Sequence, residues 1–140
     1  MGQQIDELRY FLAICEENLG NYKVYPLFFI NNSLEEIEVI ILVRTIVFDR
    51  IDTIEKIEDI EKDGVGFRKY LGIPAKSCFK IYEYYDWEFD WSDGIYAWIK
   101  TRSKEERLHF YMEKYFILNT KVNFIPTLNK GGWICLSWHR

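Results

Sequence analysis

The chain has 140 residues and a mass of 17.0 kDa, which suits one domain that buries its own apolar core. We therefore expect a single domain over residues 1–140. The formal net charge of −4 disfavours nucleic acid as a partner, because a phosphate-binding surface is normally basic. The charge is uneven, however: residues 1–99 carry 10 Lys or Arg and 19 Asp or Glu, whereas residues 100–140 carry 8 and 3.

Marks of secretion or membrane insertion are absent from the sequence. The first ten residues, MGQQIDELRY, have neither the basic start nor the apolar run of a signal peptide. The longest central apolar run, residues 39–43, is far short of the about 20 residues that a helix needs to cross a bilayer. Three widely spaced cysteines without a CxxC pair are typical of reduced thiols. We expect a cytoplasmic location, no membrane contact and no cofactor.

The first predicted element is a helix over residues 4–19. Apolar side chains recur there at spacings of three and four: Ile5, Leu8, Leu12, Cys15 and Leu19. That spacing lines one face of a helix, and Gly20 follows where a left-handed C-terminal residue belongs.

Two strands are predicted after the helix. The segments VYPLFFI and IEVIILVRTIVF are rich in β-branched and aromatic residues, and the polar residues 31–36 between them favour a turn, so we expect an antiparallel pair. Pro26 places the first strand at a sheet edge, or lies at the strand's start. Isoleucines at every third position of residues 51–64 then indicate a short charged helix, with a solvated connection as the alternative. Glycines and Pro74 mark turns around one short strand.

The most distinctive stretch is residues 82–98, YEYYDWEFDWSDGIYAW, with eight aromatic residues, five carboxylates and no lysine or arginine. It predicts a hairpin over residues 79–101 with a loop at Ser92, Asp93 and Gly94. In that register one face is wholly apolar and belongs to the core: Trp87, Phe89, Trp91, Ile95, Ala97 and Ile99. The other face is acidic and aromatic, and it carries Asp86, Glu88, Asp90, Tyr96 and Trp98.

The last third of the chain is less decisive. Residues 103–118 fit helical spacing and strand alternation almost equally well. The segments VNFIPTL and WICLSW, joined by a turn at residues 129–132, predict a closing hairpin. The expected fold is therefore mainly β: an antiparallel two-sheet sandwich, with an immunoglobulin-like arrangement as one form of it, and an N-terminal helix. The alternative is an α+β fold with a second helix at about residues 103–118.

Catalytic patterns are poorly represented. A phosphate-binding glycine loop is missing, because the third glycine of GxGxxG is replaced by Lys69. Asp90 and Asp93 suit a calcium site only if they meet at the hairpin tip, and the simpler interpretation of Asp93 is a turn residue. A nucleophilic thiol would require Cys135 to meet His109 through the fold. The sequence favours a protein without enzymatic activity and predicts no catalytic residue and no metal site.

The expected function is protein recognition by an adaptor or inhibitor-like module. Carboxylates at Asp86, Glu88 and Asp90 would steer a partner with a basic surface, and the rings of Tyr96 and Trp98 would bind it. The sequence leaves open whether these two rings are exposed or covered by the rest of the chain. The alternative function is a sandwich, either a binding protein or an enzyme, that holds a small molecule or a carbohydrate in a ring-lined pocket.

Overall fold

The computed structural model describes residues 5–44, 53–63, 66–87 and 92–137. Within these ranges two antiparallel sheets form, together with two short α-helices and a 3₁₀ turn at Ile5–Glu7. In chain order the elements are β1 Tyr10–Ile14, β2 Glu17–Asn18, β3 Lys23–Asn31, β4 Ile37–Arg44, α1 Ile57–Asp63, β5 Arg68–Ile73, β6 Ser77–Tyr85, β7 Ser92–Thr101, β8 Glu105–Glu113, α2 Lys114–Leu118, β9 Asn123–Ile125 and β10 Lys130–Cys135. The prediction of a mainly β fold with two antiparallel sheets is confirmed.

The larger sheet is built around β3, which pairs with β6 on one side and with β1 and β2 on the other. β2 continues β1 in the same register, since Ile14 lies opposite Leu27 and Glu17 opposite Val24. Beyond β1 follow β10 and then β9. Strands β1 and β10, the first and the last of the described chain, are thus neighbours at the centre of this sheet.

The smaller sheet has the strand order β5–β4–β7–β8. An immunoglobulin domain instead orders its strands ABED in one sheet and CFG in the other. The order found here is different, so the immunoglobulin-like form of the prediction is not confirmed.

Both sheets are covered on two faces. Their inner faces share one apolar core, to which Leu12 and Phe29 contribute from the larger sheet and Ile40 and Ile99 from the smaller. The outer face of the smaller sheet packs against α1. Side chains of the N-terminal segment and of the β9–β10 turn cover part of the outer face of the larger sheet.

The predicted helix over residues 4–19 is wrong, since this segment contains β1, β2 and the turn that follows them. All five residues of β1 are buried: Leu12 and Ile14 point into the core between the sheets, whereas Phe11 and Ala13 pack on the opposite face. A strand buried on both faces is apolar at every position and so also contains helical spacings. The helical period in this segment was therefore uninformative.

The two predicted hairpins over residues 22–48 and 79–101 are wrong in their pairing, although their strands exist. β3 belongs to the larger sheet and β4 to the smaller, and β6 and β7 are divided between the sheets in the same way. Ser92, Asp93 and Gly94 lie inside β7, opposite the last residues of β8, and do not form a loop. Pro26 is not at an edge either: it faces the break between β1 and β2, where its carbonyl accepts the N–H of Cys15 at 3.0 Å.

The remaining predictions fare better. α1 confirms a helix within residues 51–64, and its first N–H, from Ile57, donates to Glu105 Oε1 at 2.7 Å. Residues 103–118 divide into strand β8 and the five-residue helix α2, so the single helix of the α+β alternative is wrong. The closing hairpin is confirmed as β9 and β10, but its turn lies at residues 126–129, and residues 130–132 of the predicted turn belong to β10. None of the helices in the described ranges is long and apolar enough to cross a membrane.

Candidate functional site

Two residues of the predicted binding face, Tyr96 and Trp98, lie beneath α1. They project from the outer face of β7, as the predicted alternation requires, but only 3% and 0% of their surfaces are exposed. Ile57 and Ile60 of α1 cover them. The rings are therefore core residues in this structure and do not offer a surface to a partner.

Polar contacts fix the covered rings in place. Trp98 Nε1 donates to the carbonyl of Ile54 at 2.9 Å, and Arg107 Nη1 donates to the same oxygen at 3.0 Å. The Tyr96 ring stacks on His109, with 4.2 Å between the ring centres and an angle of 4° between the planes. These contacts attach the segment before α1 to the smaller sheet.

The carboxylates of the predicted face are not brought together with these rings. Asp86 lies half-buried in the turn after β6, and its N–H donates to the carbonyl of Lys23 at 3.1 Å. Glu88 and Asp90 lie outside the described residues. The prediction placed Asp86 opposite β7 by pairing the chain of β6 with β7. In the structure β7 pairs with β4 and β8 instead, so Asp86 does not lie beside Tyr96 and Trp98.

A different set of rings is exposed, two of them on the same acidic stretch and one on the chain before β3. We define the aromatic cluster as Tyr22, Tyr85 and Trp87, which are 38%, 36% and 58% exposed. Tyr85 and Trp87 stack nearly parallel, with 4.8 Å between ring centres and 8° between planes. Tyr22 meets Trp87 at 5.2 Å with its edge. Trp87 was predicted to lie in the core, and its exposure corrects that prediction.

Two segments of hydrogen-bonded backbone position the rings of the aromatic cluster. Tyr22 ends the turn between β2 and β3, where Gly20 has a φ of +93° that favours glycine and Leu19 N–H donates to the Tyr22 carbonyl at 2.9 Å. Tyr85 is the last residue of β6, and Trp87 follows in the next turn. The bond from Asp86 to Lys23 joins these two pieces of chain, so the three rings are positioned by paired backbone.

Charged groups of both signs surround the aromatic cluster. Lys23 Nζ lies 2.8 Å from Glu16 Oε1, and this hydrogen bond raises the pKa of Lys23. Burial raises the pKa of the neighbouring Tyr25, and the charges of Glu16 and Asp86 add to the effect. Both carboxylates therefore lie close to the base of the cluster, together with Lys23 and with Lys114, whose Nζ donates to the Asp86 carbonyl at 3.4 Å.

An ion pair with a buried carboxylate joins β4 and β7 of the smaller sheet, and two tyrosines of β6 connect it to the larger sheet. Asp93 is 4% exposed, and its Oδ2 accepts from Arg44 Nε at 2.7 Å and from the Tyr84 hydroxyl at 2.7 Å. The Arg44 guanidinium also lies 3.8 Å from the centre of the Tyr82 ring. Burial, reinforced by the Asp93 carboxylate, raises the pKa of Tyr84, which keeps this hydroxyl protonated as a donor. Asp93 is thus a structural residue, and this carboxylate is committed to protein contacts.

Neither a reactive thiol nor a metal cluster appears among the described side chains. Burial raises the pKa of Cys135 to about 12, so the thiol stays protonated at neutral pH, and it contacts the Tyr111 carbonyl at 3.5 Å. His109 is instead engaged with Tyr96. Across the described ranges, no three His, Cys, Asp or Glu residues are grouped so that they could hold a metal ion.

The sequence contained part of the signal for the aromatic cluster. Tyr85 and Trp87 are two positions apart, which is the spacing of side chains on one face of an extended chain. A connection at residues 92–94, as the sequence predicts, would place Trp87 inside a strand and in the core, and this hides the signal. Nothing local indicated Tyr22, because it reaches Trp87 only through the pairing of β3 with β6.

Comparisons of this chain with models of protein families, with curated proteins and with solved structures return no match.

Proposed function

We propose that this chain is a non-enzymatic recognition module of the cytoplasm that binds a protein with a basic surface through the aromatic cluster. The observation that carries the proposal is the stacked Tyr85–Trp87 pair, in which Trp87 is more than half exposed in the turn that follows the well-paired strand β6. Tryptophan and tyrosine are the residues that most often dominate binding energy at protein interfaces. Three reduced cysteines support the cytoplasmic location.

The rings are pre-organised for binding. Each ring contacts another member of the cluster, and the chain around them is held by backbone hydrogen bonds. Ordering of mobile side chains opposes association, so rings that are already fixed in the free protein lose less entropy when a partner docks. A fixed aromatic surface is thus a better contact area than the same rings on a loose loop.

The surrounding charge supports a basic partner. Glu16 and Asp86 lie next to the cluster, and the sequence continues with Glu88 and Asp90 before any basic residue appears. Carboxylates around an apolar contact accelerate the approach of a cationic surface and disfavour acidic competitors. This retains the role predicted for Asp86, Glu88 and Asp90 and replaces Tyr96 and Trp98 with Tyr22, Tyr85 and Trp87.

The test is affinity capture from the native cell with matched baits, followed by titration of the purified partner. Trp87→Ala should weaken binding about 30-fold, which is the effect of a residue worth about 2 kcal/mol at an interface. Phe124→Ala is the matched control, because Phe124 is equally exposed on β9 but lies outside the cluster. Reversal of charge at Asp86, Glu88 and Asp90 should slow association and remove its salt dependence, with the melting temperature nearly unchanged. A partner that binds Trp87→Ala and wild type equally well would refute the proposal.

A further inference from the structure

A pocket of about 260 Å³ opens where β5 and β6, edge strands of the two sheets in the described chain, approach each other. Its lining consists of two arginines, a glycine and three apolar residues: Arg44, Arg68, Gly66, Leu42, Phe67 and Ile81. Leu42 and Ile81 are buried members of the core between the sheets, so the pocket reaches the core itself. The volume is just below the about 300–1,000 Å³ of sites for drug-sized ligands, so the pocket suits a smaller molecule.

Both arginines project from the inner face of the smaller sheet. Leu42 of β4 faces the core, and Arg44 lies two positions further along the same strand, so the two side chains share a face. Arg68 of β5 is paired with Leu42 and therefore lies on that face as well. Two cationic side chains are thus directed into one end of the sandwich, where burial penalises a charge that has no partner.

The described carboxylates neutralise only one of these two charges. Nε and Nη2 of Arg44 each lie 2.7 Å from Asp93 Oδ2. Arg68 has a neutral partner: its Nη1 donates to the carbonyl of Ile81 at 2.6 Å, and no carboxylate of the described residues forms an ion pair with it. The pocket therefore has one uncompensated positive charge.

A backbone contact fixes the position of that charge. Ile81 lies where the register between β6 and β3 shifts and is skipped in the pairing, and its carbonyl accepts from Arg68 instead. This bond carries the guanidinium from β5 across to β6. A guanidinium has several N–H donors in a planar fork, and most of those of Arg68 remain for a ligand. A fork that is held in place before binding loses little entropy when an oxyanion docks.

We propose that this pocket binds a small carboxylate with an apolar body. The carboxylate pairs with Arg68, and the body displaces water from Leu42, Phe67 and Ile81. A single negative charge matches the single uncompensated positive charge, whereas a phosphate monoester, with nearly two charges at neutral pH, leaves one of them unpaired. The pocket is distinct from the aromatic cluster, and the proposal does not depend on the function assigned to that cluster.

Ligands with one phenylalkyl body test the chemical class. 3-Phenylpropanoate is the carboxylate, 3-phenylpropan-1-ol is its neutral counterpart, and 2-phenylethyl phosphate is the dianion. In titrations at constant ionic strength, the methyl resonances of Leu42 and Ile81 should shift and saturate with 3-phenylpropanoate, while those of Ile60 and Ile125 in other clusters stay fixed. We expect the carboxylate to bind about tenfold tighter than the alcohol, because only it accepts charged hydrogen bonds, and tighter than the phosphate. Equal affinity of the alcohol, tighter binding of the phosphate, or absent shifts at Leu42 and Ile81 would each overturn the proposal.

N-acetylphenylalanine distinguishes two sources of the carboxylate, because it presents the same body as the end of a peptide chain. Tighter binding than 3-phenylpropanoate assigns the pocket to a C-terminal residue, and weaker binding assigns it to a free acid. Both results support the proposal, since the chemistry that Arg68 recognises is the same.

A charge-matched pair of variants tests the role of Arg68. Arg68→Gln should weaken 3-phenylpropanoate about tenfold and leave the alcohol's affinity unchanged, because the charge is lost while the apolar walls remain. Arg102→Gln is the control: Arg102 is an exposed arginine in the turn between β7 and β8, and its loss changes the net charge equally. Arg68→Lys keeps the charge without the planar fork and should bind with an intermediate affinity. Equal effects of Arg68→Gln and Arg102→Gln would refute the assignment, and the wild-type comparison of carboxylate with alcohol still decides if Arg68→Gln fails to fold.

Discussion

Asp93 has a sequence environment typical of a turn and a spatial environment typical of a buried ion pair. It precedes glycine and follows serine, which favours a loop, yet its carboxylate is held by Arg44, 49 positions earlier, and by Tyr84. A charge partner at that separation leaves no local signature in the sequence. The turn interpretation was therefore reasonable from the sequence and wrong in the fold.

We predict that Asp93→Asn destabilises the protein by about 2–4 kcal/mol. The amide keeps an acceptor for the Tyr84 hydroxyl, but it removes the buried carboxylate that pairs with the partly exposed guanidinium of Arg44. Urea unfolding followed by tryptophan fluorescence gives the change in the free energy of unfolding. The control is Glu61→Gln, which removes the exposed pair with Lys69 at 3.2 Å and should cost less than about 1 kcal/mol. If the two substitutions lower the free energy of unfolding equally, the buried position of Asp93 adds nothing to the stability that its ion pair provides, and the prediction is wrong.

Glu35 links the β3–β4 connection to the turn between β7 and β8. Its Oε1 accepts from Ser103 Oγ at 2.9 Å and from Arg9 Nη2 at 3.3 Å. Hydrogen bonds from the Thr101 and Ser103 hydroxyls, with a smaller contribution from the charge of Arg9, lower the pKa of Glu35 below its ordinary value of 4.5. The folded protein therefore favours the ionised form more than the unfolded chain does.

The expected consequence is a stabilisation by Glu35 that is present above about pH 4.5 and lost as the pH falls through the lowered pKa. Glu35→Gln should thus destabilise the protein at pH 7 and make little difference at pH 3. Urea unfolding of both proteins across that range measures the gap. The exposed neighbour Glu36→Gln is the control. A gap between wild type and Glu35→Gln that widens as the pH falls would contradict this assignment.

At the scale of elements, the sequence predicted the type of most strands but not their partners. Alternation in β7 places Ile95 and Ile99 in the core and Tyr96 and Trp98 on the other face, as the structure confirms. What covers that other face is α1, which arrives from a distant part of the chain. Likewise, the polar residues between β3 and β4 form a turn, but this turn connects the larger sheet to the smaller one and does not close a hairpin. Periodicity reports how a strand is buried, whereas pairing is decided by the whole core.

We predict that Ile60→Ala loosens α1 more than it destabilises the sandwich. Ile60 is fully buried against the outer face of β7, and α1 buries only one other residue, Ile57, in the same contact. Truncation of a buried isoleucine costs about 2–5 kcal/mol, and we expect a seven-residue helix that buries only two apolar side chains to undock after such a loss. Hydrogen exchange at the Trp98 indole, which is bonded to the Ile54 carbonyl, should accelerate strongly. Core amides of β1 should be nearly unaffected.

The exposed residue Asp59 on the same helix provides the control. Asp59→Ala removes a charge from α1 without touching the sheet, so the Trp98 indole should exchange as in wild type. If Ile60→Ala accelerates exchange equally in β1 and at Trp98, the helix is part of one cooperative unit with the sandwich, and the prediction is wrong.

At the scale of the whole molecule, the fold closes by joining its two ends. Leu12 pairs with Cys135 and Ile14 with Trp133, so β10 is inserted beside β1 at the centre of the larger sheet. The approach is close: a Cβ added to Gly132 would lie 2.8 Å from the carbonyl oxygen of Ile14. Glycine is therefore required at this crossing for space. Pairing between strands so distant along the chain is the kind that forms slowly, because a long loop must be ordered first.

This topology predicts that a chain ending at residue 122 does not fold cooperatively. Loss of β9 and β10 exposes the edge of β1, all of whose residues are buried, and opens the core between the sheets to water. We expect no sigmoidal urea transition and strong binding of a hydrophobic dye, which are signs of a compact chain without fixed packing. Addition of a synthetic peptide covering residues 123–137 should restore a cooperative transition, because the missing strand can pair with β1 in trans. A truncated chain that unfolds cooperatively by itself would show that β10 is an appendage to a sandwich completed by the other strands.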